Sequence, residues 1–269
     1  MSHSCACLAL YGCEERLTAQ TWLGVAERYF QYLGVTPTLC VVSFTSGRTR
    51  NLNWHLARGR LGSATDVETL FCSADLPTNK EDVLQWEAAT SWIRPAHTSL
   101  PTVFFGYRQH LGPFSVRDCL HLTRLATSHS SIGYGIGYEH DGRMGPEAYA
   151  HGLEVRFEDF DIDARESRRM DMWWRECSAP QPGESSRFRH LAGMIRDVYP
   201  VSVLSPVHLA QKVGHRNLGD WIGAAPGRGT LMRIGAGNSL WAVPPAGIPA
   251  VRAELKAAGL IIADERKGM

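Results

Sequence analysis

The sequence predicts an α+β fold: a mixed or antiparallel sheet with helices packed on it, in two βαβ-containing halves that form one compact body. Three observations lead there. Short β-branched or apolar runs alternate with segments of helical apolar spacing along nearly the whole chain. A stretch rich in Pro, Gly and Ser at 178–186 offers the best internal boundary. The length, 269 residues, suits one large domain or two intimately packed halves. Halves at 1–177 and 187–269 are the favoured division.

Residues 5–11 are an apolar run of strand length. Thr18 stands where an N-cap belongs, and Trp22, Leu23, Ala26, Tyr29, Phe30 and Leu33 recur at helical spacing, so 19–33 is an amphipathic helix stopped by Gly34. Residues 38–44 form a buried strand, completing a β-α-β opening. The composition then turns to Ser, Gly, Arg and Asn over 45–65, which predicts a solvated loop. Arg48, Arg50, Arg58 and Arg60 with Trp54 and His55 make that loop basic and aromatic, but no nucleic-acid-binding motif surrounds them.

Val83, Leu84, Trp86 and Trp92 give 80–93 helical spacing, closed by Pro95. Residues 102–107 are a strand by their Val-Phe-Phe centre. Ser115 caps a helix reaching His129, and 132–138 returns as a strand, giving a second β-α-β. A short helix opened by Gly-Pro covers 145–152, and 166–177 is a charged helix with Met170, Trp173 and Trp174 on its apolar side.

Past the boundary, helices are expected at 188–199, stopped by Pro200, then at 206–213 and 218–224. A hairpin pairs 229–234 with 240–243 across a Gly235-Ala236-Gly237-Asn238 turn. A helix at 248–258 capped by Gly259 and a last strand at 260–263 finish the chain.

Composition excludes several function classes. Lys and Arg number 28 against 27 Asp and Glu, a net charge of +1, so there is no global basic field to hold nucleic acid. No run of about 18 apolar residues is present to cross a bilayer. The first thirteen residues lack a basic n-region and run straight into Glu14 and Glu15, which argues against a secretory signal; a cytoplasmic protein is expected. Seven cysteines without framework spacing predict reduced thiols.

The motifs are mostly negative. Gly133, Gly135 and Gly137 alternate within a strand, with Tyr134, Ile136 and Tyr138 on the other face, so they predict close packing and no dinucleotide loop. Gly229-Thr230 lacks the Lys-Ser/Thr of a phosphate loop, and no cofactor is expected. His3, Cys5, Cys7 and Cys13 contain soft ligands without a matching pair elsewhere. His110, His121, His129, His140 and His151 make no H-E-x-x-H. Cys177 has no local protease signature, and no G-x-S-x-G elbow exists. The acidic run Glu154, Glu158, Asp159, Asp161 and Asp163, offset only by Arg156, has Phe157, Phe160 and Ile162 to anchor it. It reads as a surface that steers a basic partner, or as a solvated edge. With Tyr138 and His140 it makes the candidate partner-binding set.

Residues 145–152 (GPEAYAHG), 188–200 (FRHLAGMIRDVYP) and the ending 229–231 with 240–243 resemble bacterial immunity proteins encoded beside type VI secretion or polymorphic toxins, in a group with an α+β domain. The resemblance covers most of the chain and is strongest after Ile132. It implies a non-enzymatic inhibitor that occludes a cognate protein toxin acting in the cytoplasm, a nuclease by first choice, with no catalytic residue, no membrane and no direct nucleic-acid contact. Two other classes compete: a metal-dependent hydrolase using the acids of 154–163 with His140 or His151, and a secretion-system adaptor anchored by Trp173 and Trp174.

Overall fold

The structure, a computed structural model, describes residues 4–13, 17–61, 64–75, 86–94, 101–153, 164–178, 188–235 and 237–262. Strand β1 (Ser4–Tyr11) lies at its centre and is buried along almost its whole length. Its alternation sorts the interior into two cores. Ala6, Leu8 and Leu10 face one hydrophobic cluster, whereas Cys5, Cys7, Ala9 and Tyr11 face another. A strand covered on both sides reads as a continuous apolar run, as this one does.

Helix α1 (Ala19–Leu33) follows. Thr18 accepts a hydrogen bond from the Thr21 N–H at 3.1 Å, and Gly34 ends the helix at φ 71°. Trp22 and Tyr29 pack on Phe105, and the Tyr29 hydroxyl donates to the Gly106 carbonyl at 2.6 Å. Next come β2 (Leu39–Phe44), β3 (Thr49–Asn53), α2 (Trp54–Leu61), β4 (Val67–Asp75), β5 (Trp86–Ile93), β6 (Thr102–Arg108) and α3 (Val116–Thr127), the last capped by Ser115. Strand β7 (Tyr134–Asp141) leads to α4 (Pro146–Ala150) and α5 (Ala164–Cys177).

The remaining elements are β8 (Val201–Leu204), α6 (Pro206–Leu209), a small β9 (Lys212–Val213) and β10 (Arg216–Asn217) hairpin, α7 (Leu218–Gly223), β11 (Thr230–Ile234), β12 (Asn238–Ala242) and α8 (Ile248–Ala257). Ten strands form one sheet in the order β11-β12-β8-β7-β1-β6-β5-β4-β2-β3, every neighbouring pair antiparallel. The fold is therefore α+β with one large antiparallel sheet. Residues of α1, α2 and α3 join the core on one face; residues of α4, α5, α7 and α8 join the core on the other. Both predicted β-α-β units keep their order, but their strands do not pair with each other: β6 and β7 flank β1, and β2 lies four places from it.

Glycines let β7 fit its place. A Cβ at Gly137 would lie 2.9 Å from the Cys119 Sγ of α3 and 3.0 Å from the Val201 Cβ, and one at Gly135 would lie 2.6 Å from the Leu10 Cδ2. The alternation is the device for close helix and strand approach that the sequence predicts.

Several expectations are corrected. The helical spacing at 80–93 is misleading: from Trp86 onward the chain is β5, and its small residues Ala88, Ala89, Thr90 and Ser91 are buried between β4 and β6, which removes the one-faced period of a half-exposed strand. The rest of that segment lies outside the described residues. The expected loop at 45–65 contains β3 and α2, with the Asn53 side chain accepting the His55 N–H at 3.0 Å in place of a recognisable Ser or Thr cap.

No helix forms over 188–199. Phe188 has φ 67° and Gly193 φ 108°, the Ile195 N–H donates to the Leu260 carbonyl and the Arg196 N–H donates to the Tyr134 hydroxyl. These donors are unavailable to a helix. The segment 206–213 splits into α6 and β9, and the final strand reduces to a single parallel bridge between Ile261 and Ile195. Strands β4 and β8 carry no separate prediction. β7 starts two residues later than expected, and all but the first residue of the 178–186 boundary lie outside the described residues.

Two glycine substitutions have opposite expected signs. Gly137→Ala destabilises the fold by about 1–3 kcal/mol through overpacking. Gly24→Ala, in α1 where an added Cβ meets nothing within 4 Å, stabilises it by about 1 kcal/mol through helix propensity. Urea unfolding of the two variants checks both; equal midpoints would contradict the close approach at β7.

Candidate functional site

The second core contains a charged group. Arg196 is 3% exposed, between Ile195 and Asp197 in the turn-rich segment that precedes β8. Its guanidinium lies 4.4 Å from the ring centre of Tyr149, 5.0 Å from that of Trp173 and 5.9 Å from that of Tyr199. One carbonyl organises the surroundings. The Ala150 oxygen, at the end of α4, accepts from the Tyr11 hydroxyl at 2.8 Å, the Trp173 indole N–H at 2.8 Å and Arg196 Nη1 at 3.4 Å. Thus β1, α4, α5 and the 196–199 segment converge on one acceptor.

No carboxylate among the described residues pairs with Arg196. The neighbouring Asp197 is engaged elsewhere: its Oδ1 accepts the Val198 N–H at 2.7 Å, and its Oδ2 pairs with Arg252 and lies 4.0 Å from Arg169 Nη1. Arg169 also reaches Glu166 at 3.5 Å. Between these groups lies a hollow of about 50 Å³ lined by Tyr149, Glu166, Arg169, Arg196, Asp197 and Tyr199. The Tyr149 and Tyr199 hydroxyls face each other at 3.1 Å. Arg196 stays charged, because a guanidinium does not deprotonate in the working range.

Two residues of the expected partner-binding set lie beside this box. Tyr138 is buried, donates its hydroxyl to the Pro146 carbonyl at 2.6 Å and packs on Tyr149, so its ring is part of the interior. His140 stacks on Tyr149 at 4.4 Å. Burial, and then the Arg196 charge, hold its pKa below the usual histidine value. The acidic members Glu154, Glu158, Asp159, Asp161 and Asp163 lie outside the described residues. The chain on either side of them is placed: a Cβ at Gly152, φ 74°, would clash with the Trp174 N and the Met170 O of α5, so α5 runs tight against the end of α4. Leu153 and Trp174 are 48% and 46% exposed there, whereas Trp173 is fully buried.

Other sequence candidates separate from this site. Cys5, Cys7 and Cys13 are buried, and burial pushes the Cys13 thiol up to about 12. Among the described residues no group of three His, Cys, Asp or Glu side chains is placed to hold a metal ion. Burial raises the Cys177 thiol as well, so it remains a thiol and not a nucleophilic thiolate at neutral pH. A larger open cleft of about 590 Å³ lies among the C-terminal elements, but Arg228 and Glu254 in it already pair with each other at 2.9 Å, and Arg228 stacks over Trp221 at 4.3 Å.

No protein-family model matches the chain, and no curated protein matches it. Among solved structures the chain is similar to the Pseudomonas aeruginosa T6SS protein PA0821. The TM-score is 0.57, and the match covers 96% of this chain and 73% of that one at 12% identity. The likeness is one of fold. Sequence reasoning missed Arg196, Tyr199 and Arg169, because a charged pair inside an expected helix looks like its solvated face. The one local signal is that Arg196-Asp197 sits between Ile195 and Val198, both of which are buried.

Buried histidines give the protein an acid sensitivity. Burial pushes His151 down to about 4, with Arg196 adding to the effect, and burial pushes His208 down to about 4. Both folded-state values lie below the ordinary 6.5, so the stability these groups contribute is complete above about pH 6.5 and is lost as pH falls toward 4. The expected slope is up to about 1.4 kcal/mol per pH unit for each histidine. Glu147, whose carboxyl is pushed up by burial, works in the opposite direction. Urea midpoints at pH 7.5 and 5.0 measure the net effect; His208→Gln should flatten the decline, and identical wild-type midpoints would count against it.

Proposed function

We propose that this chain is a non-enzymatic inhibitor: an immunity protein that binds and neutralises a cognate toxin of a type VI secretion system, acting in the cytoplasm and most simply a nuclease. The observation that supports this reading is the shared fold with a T6SS protein across 96% of the chain. The resemblance of 145–152 and 188–200 to immunity proteins points the same way. Both stretches contribute to the Arg196 box, through Tyr149 and Ala150 in the first and Arg196 and Tyr199 in the second.

The binding face we infer flanks the acidic run. Trp174 and Leu153 are large exposed apolar residues on either side of it in sequence, and Gly152 brings their backbones together. An exposed tryptophan in a chain whose acidic run starts directly after Leu153 suits a basic protein surface: the ring supplies the anchor, and the charge supplies steering. A nuclease groove is basic because it holds phosphate. Tyr138 lies inside, with its hydroxyl on the Pro146 carbonyl at the start of α4.

Co-expression with candidate T6SS effectors, taken first from neighbouring genes, tests the reading. Growth should be restored and the two proteins should co-purify; no rescue and no complex would overturn it. Trp174→Ala is expected to weaken the complex by about 2 kcal/mol, roughly thirtyfold, without lowering Tm. Alanine at Glu158, Asp159 and Asp161 should slow association and reduce its salt dependence. Unchanged rates across a salt series would remove the charge-mimic part of the proposal.

A further inference from the structure

We propose that the hollow beside Arg196 is a carboxylate site, a cavity that takes a single carboxylate group against the guanidinium groups of Arg196 and Arg169. The inference is independent of the immunity reading. Arg196 has five N–H donors, and among the described residues only the Ala150 carbonyl accepts from them, at 3.4 Å. A buried cation without a counter-charge is strongly disfavoured unless something compensates it. The rings of Tyr149, Trp173 and Tyr199 compensate in part, each contributing on the order of 0.5–2 kcal/mol. Arg169 presents a second shortfall: its Nε and Nη2 are buried and have no hydrogen-bond partner among the described residues. Both arginines line the same hollow.

Size and charge select the ligand. A volume of about 50 Å³ admits a planar carboxylate head and little more. Of the charges lining it, Asp197 pairs with Arg252 and Glu166 with Arg169, so Arg196 is the cation with no carboxylate among the described residues and the hollow suits one monoanion. A phosphate dianion would overshoot that balance and face two carboxylates. Guanidinium and carboxylate are matched in geometry as well, through paired N–H···O bonds. The tyrosine pair adds a donor: of the two hydroxyls 3.1 Å apart, one donates to the other and the second proton is left for an acceptor in the hollow. The occupant is a free small carboxylate or the side-chain carboxylate of a protein partner.

The test is thermal unfolding of the full chain in sodium formate, with sodium chloride adjusting every sample to one ionic strength. Formate at tenfold over its Kd should raise Tm by about 3–5 °C. Arg169→Met should move the response to at least tenfold higher formate, the loss expected when a charged hydrogen bond is removed. Arg196→Met should abolish it; if that variant does not fold, Arg169→Met, at the partly exposed edge, decides. An N-acetylated, C-amidated Gly-Asp-Gly peptide and its Gly-Asn-Gly counterpart separate the sources. Stabilisation by the Asp peptide alone supports a partner side chain, and stabilisation by formate without the peptide supports a free carboxylate. A Tm that follows ionic strength and responds neither to formate nor to the Asp peptide, or a response unchanged in Arg169→Met, would overturn the proposal.

Discussion

The Arg196 cation and the carbonyl of Ala150 set the main constraint on this molecule. A guanidinium taken out of water needs its charge and its donors accommodated, and the protein does this with three aromatic rings and one shared backbone oxygen. That oxygen also accepts from Tyr11 in the central strand and Trp173 in α5. The arrangement holds only if β1, α4, α5 and the 196–199 segment meet at one point. Segments separated by more than a hundred residues in sequence are thereby fixed relative to one another, and β8, which begins five residues after Arg196, enters the sheet beside β7.

The sheet supplies the complementary constraint. Because β1 is central, each residue from Cys5 to Tyr11 belongs to one of two cores, and a one-residue slip would exchange them. Tyr11 must face the Arg196 side while Leu10 faces the core joined by α1, α2 and α3, so register and charge burial specify the same arrangement. The β7 glycines serve that register: Gly135 and Gly137 admit Leu10, Cys119 and Val201 on one face while Tyr134 and Tyr138 fill the other.

The elements legible in sequence are those whose stabilising contacts are local. Helix α1 carries its cap, stripe and stop within seventeen residues, and α3, α8 and the β11–β12 hairpin are similar. Strand β5 is illegible for a physical reason. Its Ala88, Ala89, Thr90 and Ser91 gain their burial from β4, β6 and the layers above and below, information that lies in other parts of the chain. The 188–199 segment fails in the same way: its apolar residues have helical spacing, but its N–H groups are claimed by Leu260 and Tyr134. The glycine alternation of β7 was readable as packing, whereas the box around Arg196 was not. A buried charge and a solvated charge are written with the same letter.

Helix α5 joins the interior to the inferred binding face. Adjacent residues on a helix point about 100° apart, so Trp173 can lock into the box while Trp174 stands in solvent. The backbone beneath Trp174 is held against the end of α4 by the Trp173 indole on Ala150 and by the close approach that the bare Gly152 allows. Any side chain at position 152 would push α5 away. An exposed aromatic on so fixed a support loses little freedom when a partner covers it, which is the physical basis of a preorganised contact. The buried charge therefore acts on the proposed face at a distance: it fixes the helix from which Trp174 projects.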